Sequence, residues 1–343
     1  MTIDRENDSA AADFRPAACW QNLRLRAQLL QRLREFFHAR GFLEVETPLL
    51  SADVVVDRHL DPLSIMLPDD PRRPDVGRRL WLQTSPEFAM KRLLATRGAD
   101  APTAIYQITH AFRGGEIGPL HNPEFTIVEW YRVGDDMQAG MQLLSDLCEA
   151  LLERGPAEQI SYQAAFEKHF GFDPHTASID ELRAAAIAAT VSAPASLGDD
   201  HDGWLDLLLS QRIQSYLGRP QPTILFDYPA SQAALSQVRA ADSASGQPAV
   251  GERFELHVDG IELANGYHEL LDADELRRRQ AEANAVRRAD GRPELPETNR
   301  LLSAMEAGLP PSTGVALGFD RLAMIAAGAQ SIQEVLAFPV DRA

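Results

Sequence analysis

Lysine is nearly absent from this chain. Only Lys91 and Lys168 occur, so almost all of the 33 Lys+Arg are arginine; they face 50 Asp+Glu, for a formal charge of −17. That balance excludes general affinity for nucleic acid, because neutralising phosphates requires clustered Lys and Arg. It suits an enzyme that receives a cationic substrate or a basic partner. Two cysteines, Cys19 and Cys148, are too few for a disulfide framework or a cysteine-rich zinc site. No apolar run approaches the ~18 residues of a membrane span. The N-terminal MTIDRENDSAAADFRP has neither the basic start nor the apolar core of a signal peptide. These absences predict a reduced, cytoplasmic protein.

Common catalytic signatures are missing too. Neither lysine follows a glycine, which removes the Walker A loop, and no dinucleotide glycine fingerprint follows a strand. There is no His-Glu-x-x-His and no Gly-x-Ser-x-Gly elbow. What is present is 343 residues of 45% hydrophobic composition, enough for one large globular domain or two small ones.

Residues 1–16 read as disordered. Trp20 to Arg40 has Leu23, Ala27, Leu30, Leu33 and Phe37 at helical spacing, with Gly41 as the stop. Phe42 to Pro48 alternates like a strand, and 68–79 is a turn-rich loop. Strands at 103–112 and 124–132 flank Gly114-Gly115-Glu116-Ile117-Gly118-Pro119, an antiparallel hairpin with a long mobile loop. Met137, Met141, Leu144, Leu147 and Leu151 form a helical stripe, and 178–189 and 203–217 also read as helices. The stretch 239–250 reads as a flexible loop. Asp259-Gly260 between RFELHV and IELANGY is a strong hairpin signal. Asp272 with Glu275 opens a helix that Gly291 closes. Gly314 to Gly318 is a glycine-bracketed strand that runs into a helix from Asp320 to Ala327. Hairpins with flanking helices, rather than repeating strand–helix units, indicate an α+β fold.

Three segments have a composition that is odd for a core. The first runs from Tyr106 through Arg113 to Glu116, followed by His121-Asn122-Pro123-Glu124-Phe125. An arginine ending a strand beside a glycine loop can fork onto a phosphate, although for Arg113 taken alone a surface ion pair is the favoured reading. The second is Gly260 to Leu270, where Glu262 and Glu269 stand seven apart and Asn265-Gly266 is expected to break the strand. Two converging carboxylates suit Mg²⁺; the plain alternative is two exposed glutamates. His268 is given packing or solvent only. The third is Gly314 to Arg321, whose glycines admit close approach to the backbone. An adenine or ribose could sit on Gly318 with Arg321 aimed at a polyphosphate; close strand packing is the alternative.

In this order, the segments resemble the catalytic domain of class II aminoacyl-tRNA synthetases, an antiparallel sheet flanked by helices. The helix 20–40 with Phe42–Pro48 is similar to its dimer-forming first motif, Phe112-Arg113 through Arg132 to the second, and Gly314–Arg321 to the third. Thr84-Ser85-Pro86-Glu87-Phe88-Ala89-Met90-Lys91-Arg92, HNPEF and NGYHEL are similar to lysyl-tRNA synthetase. That enzyme carries an anticodon-binding barrel of roughly a hundred residues before the first motif, whereas 19 residues precede Trp20 here. The resemblance is therefore to the truncated lysyl-tRNA synthetase paralogues that modify elongation factor P, and it spans residues 17–343.

This resemblance implies that ATP activates (R)-β-lysine as its adenylate and that the ε-amine of a lysine on elongation factor P then takes the acyl group. It implies Arg113, Gly114, Gly115, Asn122, Glu262, Leu263, Gly318 and Arg321 at ATP. Ser85, Pro86, Glu87, Tyr131, Glu269 and Ala316 would hold the amino acid, and Glu262 with Glu269 would hold Mg²⁺. Arg113, Glu262 and Arg321 carry the catalysis, which needs positioning and charge stabilisation rather than a covalent nucleophile. A homodimer is implied, with no stable tRNA binding and no membrane association.

Two departures stand out. Gly114-Gly115 replace the Asn-Glu often found after the motif-two arginine, and Glu116 follows one place late. Ala316 stands where lysyl-tRNA synthetases usually have glycine, a methyl worth only ~1–3 kcal/mol of discrimination. The rival readings are a lysine-activating enzyme that charges tRNA or another amine acceptor, and a catalytically silent regulatory paralogue.

Overall fold

The computed structural model describes residues 14–96, 98, 101–244, 246–297 and 300–343. The disorder expected for residues 1–16 falls mainly on 1–13, outside the described residues. Ala17 and Ala18 donate their amides to the carbonyls of Ala337 and Leu336, and helix α1 (Trp20–His38) follows. Gly41, at φ +76°, ends that turn in a conformation that side chains resist. Strand β1 is only Leu43–Glu44, so the strand expected over Phe42–Pro48 is cut to two residues. The chain then leaves the main sheet for a small one of β2 (Leu50–Ser51), β3 (Ser64–Pro68) and β4 (Gly77–Leu82). The loop expected at 68–79 is correspondingly shorter, since β4 starts at Gly77.

Helix α2 (Glu87–Ala95) leads into the hairpin of β5 (Ala104–Phe112) and β6 (Glu124–Val133). Helix α3 (Met137–Leu152) is capped by Asp136, whose carboxylate accepts from the Ala139 amide. An insertion follows: β7 (Glu158–Ser161), α4 (Tyr162–Phe170), α5 (Ile179–Ala188) and α6 (His201–Leu208). The helix expected to reach residue 217 stops regular winding at Leu208 and continues as one wide turn and one tight turn. Strands β8 (Thr223–Pro229), β9 (Val238–Arg239), β10 (Val250–Val258) and β11 (Ile261–His268) complete the hairpin region. Asp259 and Gly260 both have positive φ, as a two-residue hairpin turn requires. Helices α7 (Ala273–Ala289) and α8 (Arg300–Glu306) precede β12 (Ser312–Gly318) and α9 (Phe319–Ala326).

The main sheet has the order β1-β5-β6-β12-β11-β10-β8-β7, with β9 on β10. Every central pairing is antiparallel; only the outer pairs β1–β5 and β7–β8 are parallel. The fold is α+β, as expected. One face of the sheet packs on α1, α3 and α9 through Phe37, Trp130, Leu144, Phe254, Val315 and Leu317. At the far end of the opposite face, α4–α6 build a second core around Tyr162, Phe166 and Leu205 against Leu225. The middle of that opposite face carries the polar residues described below.

Phe37 anchors the first core. It is fully buried, stacks on Tyr106 with ring centroids 4.5 Å apart and leans on Trp130 at 5.3 Å. Phe37→Ala is expected to cost about 3–5 kcal/mol of unfolding free energy, measured as a lowered urea midpoint at constant slope.

Candidate functional site

Strand β12 lies between β6 and β11, and its site face carries almost no side chain. Gly314, Ala316 and Gly318 alternate there with the core residues Val315 and Leu317. Ala316 pairs with Glu129 on one side and Asn265 on the other; Gly314 pairs with Tyr131 and Tyr267. Glu129 and Tyr131 thus flank a shallow trough instead of being screened by bulk from the middle strand.

Strand β11 is continuous, so Asn265-Gly266 does not break it. Gly266 is glycine for packing: a Cβ there would lie 2.4 Å from the Phe254 ring. The irregularity comes earlier. The register passes from Leu256↔Ala264 to His257↔Glu262 and leaves Leu263 as an extra residue. Seven residues apart, Glu262 and Glu269 would face opposite sides of a regular strand; the bulge at Leu263 brings both to the site face. It does not bring them together, because seven residues of strand span roughly 23 Å. Glu269 forms an ion pair with Lys91 instead. Among the described residues, no group of three or more His, Cys, Asp and Glu side chains could hold a metal. The expected joint metal role of Glu262 and Glu269 therefore does not match the geometry.

The face divides into two ends. At one, a cavity is lined by Arg113, Glu116, His121, Asn122, Phe125, Glu262, Leu263, Asn265, Ala316, Gly318 and Arg321. Arg321 is held in place without any ligand. Its Nε donates to the Leu120 carbonyl at 3.2 Å, Nη1 to the Glu262 carbonyl at 2.9 Å and Nη2 to His121 Nε2 at 2.7 Å. Burial and the Arg321 charge push the His121 pKa down, so the ring is neutral and accepts that bond. Behind Arg321, Asp320 accepts the Thr126 amide at 2.9 Å and pairs with Arg26 of α1 at 2.5 Å. Burial, and then Glu255, raise the pKa of Glu262, while Arg321 opposes them. Arg113 lies with its guanidinium 5.0 Å from the Phe125 ring centroid.

Three residues expected at the nucleotide have structural roles within the protein. Gly114 donates its amide to the Asp61 carbonyl at 2.7 Å, and neither it nor Gly115 lines the cavity. Gly115, at φ +78°, turns the chain so that Glu116 enters the cavity 4.0 Å from Arg113 and from His121. The Asn122 side chain is occupied by backbone: its amide donates to the Glu124 carbonyl at 2.6 Å and accepts from Val340 at 3.0 Å.

The other end is acidic and buried. Pro86 precedes the first residue of α2, Glu87, so the helix starts at the pocket wall. Ser85 Oγ donates to Glu129 at 2.6 Å, and the Tyr131 hydroxyl donates to its other oxygen at 2.6 Å. Lys91 Nζ lies 2.5 Å from Glu87 and also pairs with Glu269. Burial, reinforced by Glu87, raises Glu129 to about 7. Burial raises Glu269 to about 8 against the pull of Lys91. Burial alone would lower Lys91, yet Glu269 and Glu87 carry it well above its ordinary value. It stays an ammonium.

The resemblance implies Ser85, Glu87, Tyr131 and Glu269 at the amino acid, and these four lie together at this end; it does not name Glu129 and Lys91, which join them, or Asn265 in the cavity at the other end. The signals were present. Glu129 shares a strand face with Tyr131, and Lys91 stands one helical turn after Glu87. Gly314 is demanded here by the protein itself. A Cβ would lie 2.2 Å from Tyr131 Cε1 and 2.3 Å from Glu269 Oε1. At Gly318 the nearest atoms to a Cβ would be 3.8 Å and 3.9 Å away, ordinary contact. Gly314→Ala is therefore expected to cost on the order of 1–3 kcal/mol in urea denaturation, and Gly318→Ala less than about 0.5.

The sequence profile of tRNA synthetases class II (D, K and N) matches residues 4–342. A Salmonella arizonae protein named elongation factor P–(R)-β-lysine ligase is 43% identical over 335 residues, covering 98% of this chain and 100% of its own. A protein of the same name from Klebsiella pneumoniae (strain 342) is 44% identical over an equal extent. With both matches running through nearly the whole chain, the protein belongs to the class II tRNA synthetase family of the D, K and N type.

Proposed function

We propose that the protein is an ATP-dependent ligase that activates (R)-β-lysine as its adenylate and transfers it to the ε-amine of a lysine on elongation factor P. One observation carries this reading: a cavity bearing Arg113 and Arg321 meets, at Ala316, a buried pocket of three carboxylates. Such a site orients a diamino acid. Its carboxylate turns to the arginines, and its ammonium groups turn to the acids. The names of the relatives supply the acceptor and the lysine isomer.

In the first step, the substrate carboxylate attacks the α-phosphorus and pyrophosphate leaves. Arg113 holds the α-phosphate, and Arg321, fixed by two carbonyls and His121, takes the developing charge on pyrophosphate. The cavity that Gly318 helps to line receives the nucleotide. In the second step, a neutral amine attacks the acyl carbon and AMP leaves. Glu262 lines the cavity beside both arginines, a donor set that fits Mg²⁺ held by one carboxylate and phosphate oxygens. When bound, Mg²⁺ would neutralise phosphate charge; the remaining binding and orientation fall to the side chains named.

Trp20 on α1, Leu43 on β1, and Leu50, Ile65, Met66 and Leu67 on the small sheet are exposed, which supports a homodimer through these elements. Among the described residues, no helix is long and apolar enough to cross a membrane. The −17 charge disfavours a polyanionic acceptor such as tRNA.

Three outcomes are expected. Arg321→Ala and Glu262→Gln should each slow lysine-dependent ATP–pyrophosphate exchange by roughly 10²–10³; near-normal exchange removes that residue from the reading. With Mg·ATP and each lysine isomer, intact-mass analysis should find elongation factor P heavier by one β-lysyl group, and substitution of its acceptor lysine should abolish the gain. Charging of tRNA with elongation factor P unmodified would favour the RNA-directed alternative. Sedimentation should give about twice the 37.8 kDa chain mass.

A further inference from the structure

We infer that Lys91 is a positioning residue of the amino-acid pocket: a built-in ammonium group that fixes Glu87 and Glu269 and leaves two negative charges for a diamino substrate. The inference deepens the proposed function and rests on it.

Lys91 is one of two lysines in the chain and is 2% exposed. Its Nζ bridges carboxylates from two elements, Glu87 on its own helix and Glu269 just past β11. Glu87 lies one turn earlier on α2, so the bridge keeps the start of that helix, with Ser85 before it, against the sheet. Glu129, the third acid, is held separately by Ser85 and Tyr131. Three carboxylates and one ammonium leave two charges uncompensated.

Buried, unpaired carboxylates are costly and favour protonation. Burial first, and the neighbouring Glu87 carboxylate after it, push Glu129 up, and burial with Glu87 pushes Glu269 up against the pull of Lys91. A substrate with two ammonium groups supplies the missing charge, whereas a monoamino acid of the same length supplies half of it. Lys91 acts through Glu87 and Glu269 and is not among the residues that line the arginine cavity. Its effect should therefore appear in amino-acid affinity and not in ATP affinity.

The test is amino-acid-dependent ATP–pyrophosphate exchange with wild type, Lys91→Met and Lys91→Ala. Lys91→Met should raise KM for the diamino acid by at least roughly tenfold, the scale of one charge-assisted hydrogen bond, and leave KM for ATP within about twofold. Lys91→Ala should regain activity with n-propylammonium, which replaces the deleted atoms and their charge, and not with 1-propanol. An unchanged amino-acid KM in Lys91→Met, or equal rescue by propanol, overturns the inference. So does failure of both variants to melt cooperatively even with propylammonium, which would make Lys91 a fold residue only. Wild type inactive with every lysine isomer would instead sink the functional reading itself.

Discussion

The site depends on one constraint: a central strand that keeps one face nearly bare. Antiparallel pairing brings β6 and β11 to the two sides of β12, so residues distant in sequence stand on one surface. A larger residue at 314 would push Tyr131 and Glu269 apart. Bulk on the opposite face, Val315 and Leu317, holds the strand down onto the core of α1, α3 and α9. The same seven residues thus form both the floor of the site and the roof of the core.

On that floor the two ends differ in charge. Arg113 and Arg321 stand with Glu116 and Glu262 where β12 enters α9, and at the other end Glu87, Glu129 and Glu269 outnumber the single Lys91. The separation is costly at the acidic end, where burial works against every ionised oxygen. Hydrogen bonds from Ser85 and Tyr131 and the ammonium of Lys91 offset part of the cost. The cationic end solves the opposite problem: Arg321 is spread over carbonyls and a neutral imidazole rather than neutralised by an acid. It keeps its full charge for an anion.

Much of this was legible in the sequence. The β5–β6 hairpin, the Asp259-Gly260 turn, the helical stripe after Met137 and the glycine-bracketed strand all follow from local patterns that tertiary packing leaves intact. The bulge did not follow, because Leu263 looks like any strand residue and becomes extra only against β10. Gly114 and Gly115 were assigned to the nucleotide, yet one serves the Asp61 carbonyl and the other turns Glu116 inward. Glu129 sits in an apolar run whose buried face cannot be chosen until its neighbouring strands are known. The brevity of β1 likewise depends on what pairs with it, since only Leu43 and Glu44 meet β5.

The Asn122 side chain ties the loop between β5 and β6 to the last turn of the chain. Val340 donates to it, and a few residues earlier Leu336 and Ala337 accept from Ala18 and Ala17 ahead of α1. The C-terminal stretch is therefore fastened at one side to the lead-in of α1 and at the other to the rim of the cavity, so residues near both ends of the described chain help to hold the loop that carries Asn122.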